Sequence, residues 1–382
     1  MTLKLRQVNE YNNLDKSAKK GRESMPVQEI NPIQDFTDSI FPNGKEKELF
    51  KRDCPHCHSE EIKIHSYYQT KNNGERKILI CQECEFLYSE TYNTPIAGLV
   101  TPLSEIIRVL KDRVEGKGLN AAVRTWGYSK NTILNWEKRL AALQETLFLY
   151  ALVHEFIKLV IEGDELYTKV KKNEEASDSK GWTIVMMERA SRFIWTLKCG
   201  KKEQRLFLEA VTNLAELFDK TESIKLFTDG ERRYSKLLFD ICHETLKTGK
   251  RGRPRKVLPK GLSVRLKNKS SKRRDSDGKL DKVEVPKAEH PETTELPVEK
   301  DVHANHVEAF NSSIRRSLSA FRRRTNTYAK SVSGLQRVLD IFWMFHNFIR
   351  CHFTTRQVPA VALGILQKGL TWEELLQLRI FC

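Results

Sequence analysis

The sequence predicts an α/β domain preceded by two smaller modules, one built on cysteines and one helical. Three observations predict it. Two C-x2-C pairs lie 23 residues apart in the first quarter of the chain, with short helical patterns after them. From about Phe156, β-branched apolar runs alternate with amphipathic stretches, the pattern of an α/β domain. Hydrophobic residues make up 39% of the 382 residues, enough to fill two or three cores of ordinary size.

The charge narrows the class of partner. Lys and Arg number 66 against 50 Asp and Glu, a net +16, so the chain seeks nucleic acid or an anionic surface. No uninterrupted apolar run approaches the ~20 residues of a membrane span. The richest, Ala141 to Ile161, is broken by Glu145, His154, Glu155 and Lys158. The N-terminus carries no apolar secretory region, so no membrane partner is expected. A cytoplasmic setting is expected instead, with reduced thiols that favour metal over disulfide.

Residues 1–45 are polar and aperiodic and read as a poorly ordered tail. Residues 46–95 hold the cysteine module. Cys54-Pro55-His56-Cys57 and Cys81-Gln82-Glu83-Cys84 can each turn two thiolates toward one point, and two such knuckles close a tetrahedral Zn²⁺ site. That metal would be structural, because four cysteines leave no open position, and it would offset the small core of a zinc ribbon. Free or redox thiols are the alternative. His56, His58 and His65 are substitute ligands, read more readily as surface or packing residues. Cys199, Cys242, Cys351 and Cys382 are scattered and read as small packing residues.

Residues 101–150 read as a helix-turn-helix domain. Thr101-Pro102 suits a helix start, with Pro at the first helical position. A short helix around Leu119, Ala122 and Val123 ends at Gly127. Ser129 can cap a second helix, in which Ile133, Trp136 and Leu140 recur on one face. That leaves Lys130, Asn131, Asn135, Lys138 and Arg139 outward, the residue types that read a groove and its phosphates. An ordinary αα-hairpin is the plainer reading.

Residues 156–382 form the α/β part. Phe156 to Ile161 is a strand. Gly181 to Met187 and Arg192 to Leu197 form a hairpin, Glu203 to Phe218 a helix, and Ile224 to Thr228 another strand. His306 to Arg324 and Leu335 to Arg350 are helical. Between them, Lys247 to Arg274 holds 13 Lys or Arg and no acid, and Asp275 to Asp301 holds nine acids and three prolines. Both are read as one insertion, 247–301, without core periodicity.

Three acids stand at element ends. Asp164 lies near the end of the first strand, Asp229 follows Thr228 before Gly230, and Glu308 opens a helix on which Asn311 and Arg315 share its face. Carboxylates converging from two strand ends and a helix can hold Mg²⁺ through oxygen, and two ions ~4 Å apart can drive phosphoryl transfer. Three unrelated acids are the plainer reading. Glu162 and Glu165 compete for the first position. On a strand Glu162 and Asp164 share a face, whereas Glu165 points away.

The order of these parts resembles the DDE transposases of the insertion sequence one family. The resemblance rests on Asp164-Glu165, on Thr228-Asp229-Gly230 with Tyr234 after it, and on Glu308-Ala309-Phe310-Asn311 continuing through Arg315, Leu318 and Arg322 to Thr325 and Lys330-Ser331. It covers about Cys54 to Arg350, apart from the insertion. It implies a zinc ribbon and a helix-turn-helix ahead of a catalytic domain of RNase H-like fold. It implies that Asp164, Asp229 and Glu308 bind Mg²⁺, or Mn²⁺ in its place, with Asn311 as an accessory. The protein would bind double-stranded DNA, both element ends and target, as a homodimer or larger synaptic complex on a bacterial-type nucleoid. A DNA-binding regulator with an inactive domain and a nuclease without transposition are the rival functions.

Two basic sets complete the reading. Arg251, Arg253 and Arg255 surround an Arg-Gly-Arg-Pro core, which suits an A·T minor groove or, equally, phosphates without sequence preference. Arg315, Arg316, Arg322, Arg323, Arg324 and Lys330 lie on or just beyond the helix of Glu308, where they can guide a phosphate backbone. Phe342, Trp343, Phe345, Phe348 and Phe353 are read as core rather than as base-stacking residues.

Overall fold

The structure is a computed structural model and describes residues 49, 53–171, 175–229, 231–246, 254–266, 303–322 and 326–380. The tail 1–45, most of the insertion, Gly230, Cys382 and the arginines Arg251, Arg253, Arg323 and Arg324 lie outside them.

The chain is mixed α/β. An antiparallel three-stranded sheet comes first: β1 (Ile62–Gln69), β2 (Glu75–Cys81) and β3 (Leu87–Ser89). Four helices follow: α1 (Leu103–Val114), α2 (Leu119–Trp126), α3 (Lys130–Ala141) and α4 (Leu143–Leu152). Pro102 is the N-cap of α1 rather than its first residue. Gly127 ends α2 at φ +73, a left-handed position that favours glycine. Ser129 then caps α3, its Oγ accepting the Thr132 N–H at 3.1 Å. Ile133, Trp136 and Leu140 are buried at the expected spacing.

The α/β part begins with β4 (Phe156–Tyr167), β5 (Trp182–Glu188) and β6 (Ile194–Gly200). The crossover helix α5 (Gln204–Phe218) leads to β7 (Thr221–Thr228), and α6 (Arg232–Cys242) follows. Leu206, Phe207, Ala210, Val211 and Leu214 bury one face of α5. A small hairpin, β8 (Glu244–Leu246) with β9 (Arg255–Val257), then leads into β10 (Leu262–Leu266). The resulting five-stranded sheet has the order β10-β7-β4-β5-β6. β5 is antiparallel to β4 and β6, whereas β7 is parallel to both β4 and β10.

This corrects the reading of 247–301 as an insertion without core periodicity. Leu262 pairs with Ile224 and Val264 with Leu226, and both Leu262 and Val264 are buried. Residues 262–266 are therefore an edge strand of the main sheet. Arg265 is also buried rather than offered to DNA.

After residue 303 come α7 (Asn305–Ser317), α8 (Val332–Met344), a π-helical turn at Phe345–Ile349, α9 (Pro359–Ala362) and α10 (Trp372–Gln377). The helix expected to reach Arg324 thus ends at Ser317, and a 3-10 turn at Ser319–Phe321 follows. Asn347, fully buried, braces the π turn against β6: its Oδ1 accepts the Ile194 N–H at 2.9 Å and its Nδ2 donates to the Ile194 carbonyl at 2.9 Å. α8 also packs on the helical module. Glu137 of α3, 1% exposed, accepts from Arg113 Nε of α1 at 2.6 Å and from Arg337 Nε of α8 at 3.2 Å. A buried carboxylate needs such paired cations, so this triad ties three helices from both parts of the chain. Among the described residues no helix is long and apolar enough to cross a membrane.

Candidate functional site

The cysteine cluster has the geometry of a metal centre. Cys54 Sγ and Cys84 Sγ are 3.5 Å apart, as are Cys57 Sγ and Cys81 Sγ, and all four sulfurs lie within 4.8 Å of one another. A tetrahedron with ~2.3 Å Zn–S bonds has edges of about 3.8 Å, so the four thiolates fit such an ion without rearrangement. The two knuckles repeat one another. His58 donates its N–H to the Cys54 carbonyl and Glu85 to the Cys81 carbonyl, and both residues are left-handed, at φ 60 and 57. The cluster is anchored from the far end of the chain: Arg379 Nη1 donates to the Asp53 carbonyl at 2.6 Å and its guanidinium lies 5.2 Å from the Tyr88 ring. His58 sits on Asp53 at 3.4 Å and His65 on Ser66 at 3.2 Å, outside the thiol group.

On α3, Lys130, Asn131, Asn135 and Lys138 are exposed, leaving a polar face open. Arg139 is not part of it. Its side chain is half-buried and Nη1 donates to the Ala97 carbonyl at 2.6 Å, so it fastens the helix to the segment ahead of α1.

The carboxylates gather at the C-terminal rim of two parallel strands. Gly163 of β4 pairs with Thr228, the last residue of β7, so Asp164, still within β4, stands beside the point where Asp229 leaves β7. The approach is close: a Cβ on Gly163 would meet Thr228 Cγ2 at 3.1 Å. Asp164 Oδ1 accepts the Glu165 N–H at 2.8 Å, and Oδ2 accepts Asn311 Nδ2 at 2.7 Å. Burial, with the Glu165 and Asp229 charges adding to it, pushes the Asp164 carboxyl up to about 6, although the two hydrogen bonds pull against it. Asn311 is 2% exposed, and its Oδ1 is buried with no hydrogen-bond partner among the described residues. An acceptor oxygen and a carboxyl strained by like charge are what a cation would relieve, so these residues fit Mg²⁺. Glu308 lies one turn before Asn311 on α7 and is exposed. It does not join Asp164 and Asp229 in a group whose ligand atoms all lie within 4.8 Å.

Glu162 and Glu165 take different roles from Asp164. Glu162, fully buried, accepts from Arg189 Nε at 2.7 Å, from His306 Nδ1 at 2.8 Å and from the backbone N–H groups of His306 and Val307 at 2.9 and 3.0 Å. Burial opposes its charge, but the His306 and Val307 hydrogen bonds and the Arg189 charge outweigh that and hold its carboxyl below the usual value. Glu162, His303 and His306 lie within 4.8 Å of one another. With a guanidinium and two amides already on its oxygens, Glu162 serves as a brace that pins the N-terminus of α7 to β4. It thereby sets where Asn311 stands. Glu165 points to the other face, where Lys202 Nζ meets its Oε2 at 3.0 Å. Sequence reasoning identifies the face shared by Glu162 and Asp164 but misses Arg189, which is 27 residues from Glu162.

The basic candidates scatter. Arg315 is half-buried, Arg316 and Arg322 are exposed, and Arg255 is exposed on β9. Lys330 lies over the Tyr328 ring at 3.9 Å. Phe342, Trp343 and Phe348 are core residues, but Phe353 is 78% exposed and Cys351 is exposed too, against the expectation of packing roles. No protein-family model matches the chain, and no curated protein matches it.

Proposed function

We propose that the chain is a DDE-type DNA transposase similar to those of the insertion sequence one family. The observation that carries this reading is the pair of carboxylates on adjacent parallel strands, Asp164 near the C-terminal end of β4 and Asp229 just past the end of β7, with Asn311 hydrogen-bonded to the first of them. The strand order and its single antiparallel inner strand support an RNase H-like catalytic domain. The four-cysteine cluster supports a structural Zn²⁺ in a ribbon, and the exposed polar face of α3 supports contact with the element's terminal inverted repeats.

In this reading Asp164 and Asp229 would hold Mg²⁺, which would supply Lewis-acid polarisation of the scissile phosphate and a lowered pKa for the attacking water or hydroxyl. Glu308, one turn before Asn311 on α7, is the proposed third ligand. The chain's own residues do the rest. Asn311 orients the Asp164 carboxylate and offers its Oδ1 to a ligand or water. Glu162 and Arg189 hold α7 against β4, so that Asn311 keeps its distance. Arg315, four residues beyond Asn311, lines the same flank and can meet the DNA backbone. The test is incubation of the protein with labelled element ends and Mg²⁺. A 3′ nick and a joined product are expected, and both should vanish with Asp164→Asn or Asp229→Asn while end binding persists. Binding without any metal-dependent cleavage would favour a regulator.

A further inference from the structure

The opposite flank of α7 lines a second feature. At 100° per residue, Ser313 lies about 160° and Arg316 about 140° around the helix from Asn311, although Arg316 is only about 80° from Glu308. There they form one wall of a cleft of about 590 Å³, within the roughly 300–1,000 Å³ of ligand sites. The other wall is the loop after the π turn, carrying Arg350, His352, Phe353 and Arg356, and Arg192 closes the end. Four arginines thus face one cleft, and none of its lining side chains among the described residues is acidic. None of the four joins a salt bridge among the described residues, although Arg192 also feels the Glu162 and Glu188 charges and donates to the Arg189 carbonyl.

The loop is built to hold an aromatic ring in the open. His352 donates its N–H to the Gln357 carbonyl and Arg356 donates its N–H to the His352 carbonyl, each at 2.9 Å. Arg356 is left-handed at φ 57, a conformation that closes the turn. Phe353 at its tip is 78% exposed, which no packing role explains, and the Arg356 guanidinium lies 4.5 Å from its ring centroid. The preceding π-helical turn, Phe345–Ile349, is a geometry frequent at functional sites. His352 is kept toward its neutral form by burial and by the Arg192 and Arg350 charges.

We propose that this cleft binds single-stranded DNA, with one base stacked on Phe353 and the adjoining phosphates held by Arg192, Arg316, Arg350 and Arg356. Stacking platforms flanked by cations are how single strands are gripped without sequence preference. A purely anionic peptide would need the arginines but not the exposed ring. This inference shares the nucleic-acid partner of the proposed function but does not rest on cleavage, so the two fail separately.

The test uses the full chain and fluorescence anisotropy on a labelled 12-nucleotide thymidine strand and on its fully abasic counterpart, which keeps the phosphates. The wild type should prefer the base-bearing strand by roughly tenfold. Phe353→Ala should abolish that preference and leave the salt dependence unchanged, and Phe353→Trp should retain it. Arg316→Ala and Arg356→Ala should each lower the slope of log K against log salt by about 0.7. Circular dichroism melts confirm that each variant is folded, and Phe353→Trp keeps the test decisive should Phe353→Ala fail to fold. Equal binding of abasic and base-bearing strands by the wild type, or an undiminished preference in Phe353→Ala, would overturn the proposal. Displacement by equimolar thymidine monophosphate would overturn the strand and assign a free nucleotide. Unchanged base preference in Asp164→Asn, which is expected, separates this cleft from the carboxylate site.

Discussion

Replacing Asp164 by asparagine removes a negative charge from a place where burial and two neighbouring acids oppose it. The folded carboxyl titrates at about 6 against an ordinary 3.8. Between those values the unfolded state has released its proton while the folded state keeps it, so stability falls as pH rises through the window and stays low above it. The gap of 6 − 3.8 = 2.2 units, at ~1.4 kcal/mol each, makes the charge cost about 3 kcal/mol at pH 8 and roughly half that at pH 5. The substitution loses little in hydrogen bonding. The introduced side-chain oxygen can accept the Glu165 N–H, and a flipped Asn311 can accept from the introduced amide through the Oδ1 that now lacks a partner. Asp164→Asn should therefore stabilise the metal-free protein, by about 3 kcal/mol at pH 8 and less at pH 5, in urea unfolding followed by fluorescence. Added Mg²⁺ should narrow the difference by stabilising the wild type alone. A variant that is less stable than the wild type, by the same amount at both pH values, would refute the reasoning, because it would mean that Asp164 contributes contacts rather than strain.

Three further outcomes follow from other parts of the chain. Cys54→Ser should release about one Zn²⁺ per chain by atomic absorption and unfold the ribbon while leaving the α/β sheet intact; wild-type protein without zinc would contradict the metal centre. Glu137→Gln should cost about 3–5 kcal/mol in chemical denaturation, since it strands Arg113 and Arg337 in a buried setting. Leu262→Ala should cost about 2–5 kcal/mol by the same measurement, a loss that a detached insertion would not show.

Much of the chain is legible because its signals are local. The C-x2-C spacing, the Gly127 and Ser129 punctuation and the apolar hairpin around Met187 each depend on a handful of neighbouring residues. Residues 262–266 escape a reading by composition although Leu262, Val264 and Leu266 alternate as a strand should, because the surrounding lysines and arginines dominate any window. The roles of Glu137 and Glu162 are invisible in sequence. Their partners Arg337 and His306 lie 200 and 144 residues away, and only packing selects them from the many cations available. Composition groups Phe353 with Phe345 and Phe348. It lies outside the core, 78% exposed on the loop between the π turn and the left-handed Arg356. The strand-end pair is legible in kind, as acids at the ends of apolar runs. The register that sets them side by side, Gly163 opposite Thr228, is not.

The proposed function rests on Asp164, Asp229 and Glu308 acting as one metal-dependent site on DNA. The most direct measurement is strand cleavage and joining of labelled element ends with Mg²⁺, comparing the wild type with Asp164→Asn, Asp229→Asn and Glu308→Gln, and with Glu165→Gln as the control on the opposite face of β4. Each of the three should abolish both products without weakening end binding, and combining them should add nothing, since they serve one site. Glu165→Gln should remain active. Full strand transfer by Glu308→Gln, or loss of activity in Glu165→Gln with Asp164→Asn still active, would contradict the account.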